Sequence, residues 1–307
     1  MDDNQGALAG SKTDKPGLSR RTLLHAATLH AAALGTGLTA APLAASESTA
    51  RRRRPVVVIG AGAFGGWTAL WLQRQGADVT LIDTWGPGHS RASSGGESRV
   101  IRGMYGVDRV YTEWVVRAFE IWRDSARRWD ADLYHPTGAL WMFRGDDGYA
   151  RASAPVLADA GLIAEPLTRK TARQRYPHID FTGIEHLWYE AEAGYLTARR
   201  ACRRVAQALV EEGGELRSAH VRPGPLDNGQ MEYIELDNGE RIHADAYVFA
   251  CGPWLGDLFP DVIGDKINPS RQDVFYFGPP AGNHAFAEGR FPVWIDFGER
   301  IFYGVPG

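Results

Sequence analysis

Cysteine is scarce: two among 307 residues, Cys202 and Cys251. Cys202 falls in a helical pattern and Cys251 in an apolar strand run, which leaves no basis for a disulfide framework or a cysteine zinc site. The nine histidines show neither H-E-x-x-H nor H-x-x-x-H spacing, so no metal site is expected. No G-x-S-x-G nucleophile elbow occurs. Excess positive charge is also missing. A formal net charge of −3 argues against nucleic acid as the main partner. No run is apolar enough for a good membrane span, and no internal repeat is visible. What remains is a globular composition, 44% hydrophobic and 23% charged, long enough for one large or two ordinary domains. Ten tryptophans and eleven tyrosines are assigned to core and inter-domain packing.

The first fifty residues read as a leader. "SRRTLLHAA" sets Ser19, Arg20 and Arg21 before an alanine- and leucine-rich run that extends to about Ala45. That weak hydrophobicity suits a twin-arginine export signal, and so the Tat translocase as a transient partner and a periplasmic or extracellular destination. A mis-called start codon would instead leave the protein cytoplasmic. Lys12, Lys15, Arg20 and Arg21 balance Asp2, Asp3, Asp14 and Glu47, so removing residues 1–50 keeps the charge at −3. The "RRRR" at 51–54 is expected to be a solvated flank of the first strand.

From Pro55 the grammar is βαβ. "PVVVIG" (55–60) is a β-branched run ending in glycine, as a buried parallel strand should be. Phe64, Trp67, Leu70 and Trp71 then recur at helical spacing until Gly76, and "DVTLID" (78–83) is the second strand. Residues 111–129 place Tyr111, Trp114, Val115, Ala118, Trp122 and Trp129 on one predicted helical stripe, and "GALWMF" (138–143) reads as a strand. A second helix is predicted over 198–212, with Thr197 as N-cap and Gly213 just past its end. Asp237-Asn238-Gly239 signals a hairpin, and a third parallel strand is expected near 246–252. "QDVFYFG" (272–278) and "RIFYGV" (300–305) alternate as strands of a second, antiparallel sheet.

Gly60, Gly62 and Gly65 fit G-x-G-x-x-G between a strand and a helix. Gly60 permits the tight turn, Gly62 lets a pyrophosphate approach, and Gly65 lets the helix close on the strand. Amides at the helix start hold the phosphate. Asp83, 23 residues after Gly60, ends the second strand where an acid accepts ribose hydroxyls. The dinucleotide is FAD or NAD; a long mixed insertion before the third parallel strand, and export with a preloaded cofactor, favour FAD. Close behind comes "SSGGESRVIR" (93–102), whose Arg99 and Arg102 are expected to share a helix face or bracket one turn.

On these segments, with "EAEAGYLTARRACRRVAQAL", "ADAYVFACGPW" and "IFYGVPG", residues 55–307 resemble the D-amino-acid-oxidase-like flavoproteins, in the branch of monomeric sarcosine oxidase, N-methyltryptophan oxidase and pipecolate oxidase. The resemblance implies an α/β fold: a Rossmann-like FAD-binding domain (55–130 and 190–265) interleaved with an α+β substrate domain built on an antiparallel sheet (131–189 and 266–307). It implies FAD held by Gly60, Ala61, Gly62, Phe64, Gly65, Asp83, Ser93, Ser94, Arg99, Val221, Gly252 and Trp254. Arg99 is then expected beside the flavin ring, Arg102 at a substrate carboxylate, and Tyr303 as a hydroxyl donor to the same carboxylate. The implied reaction is oxidation of an amino acid or N-methyl amino acid to an imine, with oxygen or a quinone as electron acceptor. Some relatives carry histidines where this chain has Ser94 and Gly95. The family pattern also continues beyond "YGVPG" with a lysine, a cysteine and a late glycine-rich segment, so the 307 residues are expected to be a C-terminally truncated fragment or gene remnant. The alternatives are an inactive FAD-binding remnant and an NAD-dependent dehydrogenase.

Overall fold

The computed structural model describes residues 53–307, so the predicted leader with Arg20 and Arg21 lies outside the described residues. The βαβ unit is present. β1 (Pro55–Ile59) leads into α1 (Ala63–Arg74), and the chain returns as β2 (Asp78–Asp83). The two strands pair in parallel, from Pro55↔Asp78 to Ile59↔Ile82. Val56 to Ile59 are all buried, the pattern of a strand covered on both faces.

The insertion that follows holds β3 (Arg99–Ile101), α2 (Arg109–Trp129), β4 (Tyr134–His135), β5 (Ala139–Phe143) and α3 (Gly148–Asp159). It continues with β6 (Ala164–Pro166), α4 (Arg169–Arg175), β7 (His186–Glu190) and β8 (Gly194–Leu196). α5 (Ala198–Glu211) then brings the chain back to the first sheet as β9 (Glu215–Ser218). Short hairpin strands follow: β10 (Val221–Pro223), β11 (Leu226–Asp227), β12 (Gln230–Met231), β13 (Ile234–Leu236) and β14 (Arg241–Ile242). β15 (Ala246–Phe249) re-enters the parallel sheet, and β16 (Val293–Phe297) and β17 (Ile301–Gly304) belong to a second one.

The first sheet is parallel, in the order β15-β1-β2-β9. β15 lands beside β1, where the predicted third strand belongs. β9 is a fourth parallel strand that the sequence reading left unassigned. Its residues are largely exposed, so an edge position leaves no apolar run to read. The second sheet runs β17-β16-β5-β7-β6. It is mixed rather than purely antiparallel, because β16 pairs in parallel with β5, from Val293↔Ala139 to Phe297↔Phe143. Residues 272–278, expected as one of its strands, form none, and Val274 to Phe277 are exposed. Three small sheets, β3-β8-β4, β10-β13-β14 and β11-β12, complete the arrangement. Val58 and Leu81 of the first sheet and Trp141, Phe143 and Val293 of the second belong to one continuous core.

Two predicted helical faces are rotated. On α1 the buried face is Gly65, Gly66, Ala69 and Leu70, while Phe64 is 87% exposed. Small residues let α1 approach α5 so closely that a methyl on Gly66 would lie 3.4 Å from Val205 Cγ1. Aromatic residues marked the wrong face because close packing selected for absence of bulk. On α2 the buried residues are Thr112, Val115, Phe119, Trp122 and Ser125, and Trp114 is exposed. Trp67 of α1 packs edge-on against Trp122, with centroids 5.2 Å apart. α5 buries Ala198, Ala201, Cys202, Val205, Ala206 and Leu209, while Val210 faces out. Thr197 sits at its N-cap without a capping bond; its hydroxyl lies 3.4 Å from the Asp132 carbonyl. Cys202 and Cys251 are free thiols.

Candidate cofactor and carboxylate site

The glycine turn is built as its spacing requires. Gly60 has φ +101°, a left-handed value that disfavours any side chain, and an added Cβ would meet the Ala250 carbonyl oxygen at 2.5 Å. Its amide donates to Ile82 O at 2.7 Å, tying the turn to β2. At Gly65 an added Cβ would lie 2.9 Å from the Gly60 carbonyl carbon and overlap its oxygen. The Gly62 Cα hydrogen occupies a gap where a Cβ would sit 3.2 Å from Ser94 Oγ. Among the described residues the amides of Phe64 and Gly65 have no acceptor, while Ala63 N donates to Ser94 Oγ at 3.2 Å. Open amides at a helix start, aligned with the helix dipole, are the fitting for a phosphate anion.

Asp83 is buried at the end of β2. Its Oδ2 accepts from Ala61 N at 2.7 Å and its Oδ1 from Trp85 N at 2.8 Å. The carboxylate therefore braces the glycine turn, and its remaining lone pairs can still accept hydroxyls. Trp254 lies 5.2 Å, centroid to centroid, from half-exposed Trp85, and His89 stands 5.0 Å from the same indole. Gly252 opens the turn that brings Trp254 there, with φ +53°. The Val221 side chain is buried in the core with Val57, Ile59 and Ile82, so only its backbone is open to a ligand. These residues fit an adenosine diphosphate moiety lying across the carboxyl ends of β1 and β2.

The arginine pair is divided. Arg99 and Arg102 are neither on a helix nor around one turn: Arg99 starts β3, which pairs with β8 through Arg99↔Leu196 and Ile101↔Gly194. Branched Val100 and Ile101 favour the strand. In an extended chain residues three apart point to opposite faces. Arg99 turns back on its own loop. Its Nε donates to Ser93 O at 2.8 Å, Nη2 to the same carbonyl, and Nη1 to Ser98 O at 2.8 Å. It thereby shapes the loop whose Ser94 meets α1. Neither arginine pairs with Glu97, which binds Arg199 at 2.9 Å.

Arg102 is held differently. Its hydrogen bonds leave from Nη1 alone, to Met104 O and to Tyr149 Oη at 3.4 Å. The guanidinium lies 4.2 Å from the Tyr105 ring centroid and 5.3 Å from that of Trp141. Among the described residues no carboxylate forms an ion pair with it, and its Nε–Nη2 edge has no acceptor. That edge can grip a carboxylate with two parallel bonds. Tyr303 pairs with Ile295 of β16, and Ile295 with Trp141 of β5. Paired residues share a face, so Tyr303 and Trp141 stand in one row, ~10 Å apart at ~4.8 Å per strand.

Sequence reasoning missed Glu190, Trp141 and Tyr149. Glu190 is fully buried at the end of β7. Burial raises its pKa above the ordinary carboxylate value, against the opposing Gly103 amide, Trp141 indole and Arg102 charge. Burial likewise raises that of the Tyr149 phenol, against the opposing Arg102 charge. A separate cleft of about 1130 Å³, lined in part by His135, His178 and Glu288, includes none of the predicted site residues. The described residues hold no cluster of three or more His, Cys, Asp or Glu placed for a metal, and no helix long and apolar enough to cross a membrane.

Residues 55–307 match the family described as FAD dependent oxidoreductase. The chain belongs to that family. FAD is therefore the cofactor, and the glycine turn has the form that fits its pyrophosphate. The chain is 27% identical over 256 residues to monomeric sarcosine oxidase of Streptomyces avermitilis, covering 82% of this chain and 65% of that protein. It is 24% identical over 254 residues to N-methyl-L-tryptophan oxidase of Yersinia pestis, covering 82% of this chain and 67% of that one. The chain thus spans just under two thirds of the length of the first of these relatives. Among solved structures, L-proline dehydrogenase from P. horikoshii superposes with a TM-score of 0.60 at 20% identity, over 70% of this chain and 56% of that one. At that identity the likeness speaks for the shared family fold.

Proposed function

We propose that this protein oxidises the C–N bond of a carboxylate-bearing amine, an amino acid or N-methyl amino acid, to the imine. The observation that carries this reading is the unpaired Nε–Nη2 edge of Arg102. It lies on an aromatic floor, three residues along the chain from the arginine that shapes the cofactor loop. The names of the relatives, oxidases of sarcosine and of N-methyl-L-tryptophan, agree with a substrate of this class. Bound FAD supplies the two-electron acceptor for the hydride that leaves the substrate carbon.

The protein's own groups bind and orient. Arg102 takes the substrate carboxylate bidentately, which fixes the α-carbon relative to the glycine turn. Trp141 and Tyr105 cover the guanidinium on apolar surface and keep water from competing for it. The Tyr303 hydroxyl, in the row of Trp141, is the second donor for the same carboxylate. Loss of hydride from carbon and a proton from nitrogen leaves an imine, which water hydrolyses. Electrons pass on to oxygen or a quinone.

Arg102→Lys tests the assignment. Losing the fork removes a charged hydrogen bond of about 1.5–3 kcal/mol. KM for proline or sarcosine should therefore rise roughly 10–100-fold. KM for pyrrolidine, which has proline's ring without the carboxylate, should change little. Equal effects on both substrates would remove the carboxylate role.

A further inference from the structure

The backbone beside Arg102 and the ring under it share one hydrogen-bond acceptor, Glu190. The Gly103 amide, next in the chain, donates to Glu190 Oε1. The Trp141 Nε1–H, under the guanidinium, approaches the other oxygen, Oε2, at 3.4 Å. One fully buried carboxyl group thus holds both the backbone that carries Arg102 and the ring on which it rests. The site is built around this contact. A Cβ on Gly103 would stand 3.1 Å from Glu190 Oε1 and 2.8 Å from the Leu157 and Leu162 side chains, so any side chain here would have to displace the two leucine ends beside the acid. On its other side Gly103 is also fixed, because Thr112 Oγ1 donates to its carbonyl at 3.0 Å. A buried acid is costly unless its oxygens are satisfied, and here both are satisfied by the support of a single arginine. Glu190 makes no ion pair with Arg102, so it does not occupy the edge that a ligand needs.

We propose that Glu190 is a positioning residue for Arg102: it fixes the Gly103 amide and the Trp141 indole, and so sets where the guanidinium meets the substrate carboxylate. The inference rests on the carboxylate-binding role of Arg102. Glu190→Gln is the informative change. Its carbonyl oxygen can still accept from Gly103, but its amide presents a second donor to the Trp141 N–H, so the floor must shift. Trp141→Phe approaches the same link from the other end: it keeps an aromatic floor and removes the N–H, and the volume it also removes from this buried position is read separately in the urea midpoint.

The probe is cyclopentanecarboxylate, which has proline's ring size and carboxylate but no amine to oxidise. Its amide is the neutral control. Binding to the FAD-loaded chain is read by calorimetry, with flavin content and the urea midpoint measured on the same samples. Displacement of a binding group by an ångström or less suffices for a ~10-fold loss of carboxylate affinity in Glu190→Gln. Trp141→Phe should lose affinity in the same direction, and amide binding should hold in both variants. Carboxylate affinity unchanged in Trp141→Phe, or an equal loss for acid and amide in Glu190→Gln, overturns the inference. Arg102→Lys separates the two layers. If it lowers carboxylate affinity selectively and Glu190→Gln does not, the positioning role fails alone. If Arg102→Lys shows no selectivity, the carboxylate reading fails and the role of Glu190 falls with it.

Discussion

Two neighbouring glycines on α1 should respond to the same substitution with opposite signs. In an open helix, glycine to alanine gains about 0.8–1 kcal/mol of propensity. If propensity decided, Gly65→Ala and Gly66→Ala would stabilise alike. The surroundings separate them. At Gly66 the new Cβ would meet only Val205 Cγ1, at 3.4 Å, an ordinary contact that adds buried apolar surface. At Gly65 it would lie 2.9 Å from the Gly60 carbonyl carbon and 3.1 Å from Ala250 Cβ, and overlap the Gly60 oxygen. Carbon atoms rest about 3.5–4.0 Å apart, so the helix must retreat by at least ~0.6 Å. The obstacle at Gly60 is backbone, held by the Gly60–Ile82 hydrogen bond and a left-handed φ, and has no rotamer to change. Overpacking of this kind costs about 1–3 kcal/mol, and a rigid obstacle puts it at the upper end. Net of propensity, Gly65→Ala should lose about 2 kcal/mol and Gly66→Ala gain up to about 1. For a chain of this size, at about 2.1 cal/mol/K per residue, the ~3 kcal/mol gap separates the melting temperatures by ~5–6 °C. Thermal and urea melts by circular dichroism measure it directly. Flavin content should fall in Gly65→Ala alone, because the same retreat moves the open amides of Phe64 and Gly65. If the two variants melt together within about 0.5 kcal/mol, close helix–strand approach is not what Gly65 is for.

Two further outcomes follow from buried carboxylates. Asp83→Ala strips acceptors from the Ala61 and Trp85 amides, and should lower stability by about 1–3 kcal/mol even without flavin; an unchanged urea midpoint would contradict the brace. Glu190 gives a pH signature. Burial raises its folded pKa, so the folded state binds the extra proton between the unfolded and folded values. Its contribution to stability is therefore full below the unfolded pKa, about 4.3, and is lost as pH rises through the folded value. The stability of the parent relative to Glu190→Gln should fall across that window, and a flat difference from pH 4 upward would show that the acid is not perturbed.

How much of this was legible in the residues depends on what each element buries. β1, β2 and the glycine turn could be read directly, because a strand covered on both faces needs an unbroken apolar run and the turn needs glycine at fixed offsets. β9 was not legible as a sheet member, because an edge strand with exposed side chains carries no pattern. Residues 272–278 alternate like a strand and yet form none, since alternation specifies a face and not a partner. The same division runs through the site. Spacing could show that Arg99 and Arg102 belong to one anion-related segment. It could not show that the Ser93 and Ser98 carbonyls occupy Arg99 and leave an edge of Arg102 open. That depends on which acceptors the folded loop brings within reach. Glu190 did leave a trace. In "HLWYE", Trp188 and Glu190 fall on the same side of β7, and Trp188 lines the core. An acid beside Trp188 on the core-facing end of that row needs partners, and the donors that answer it are those beside Arg102.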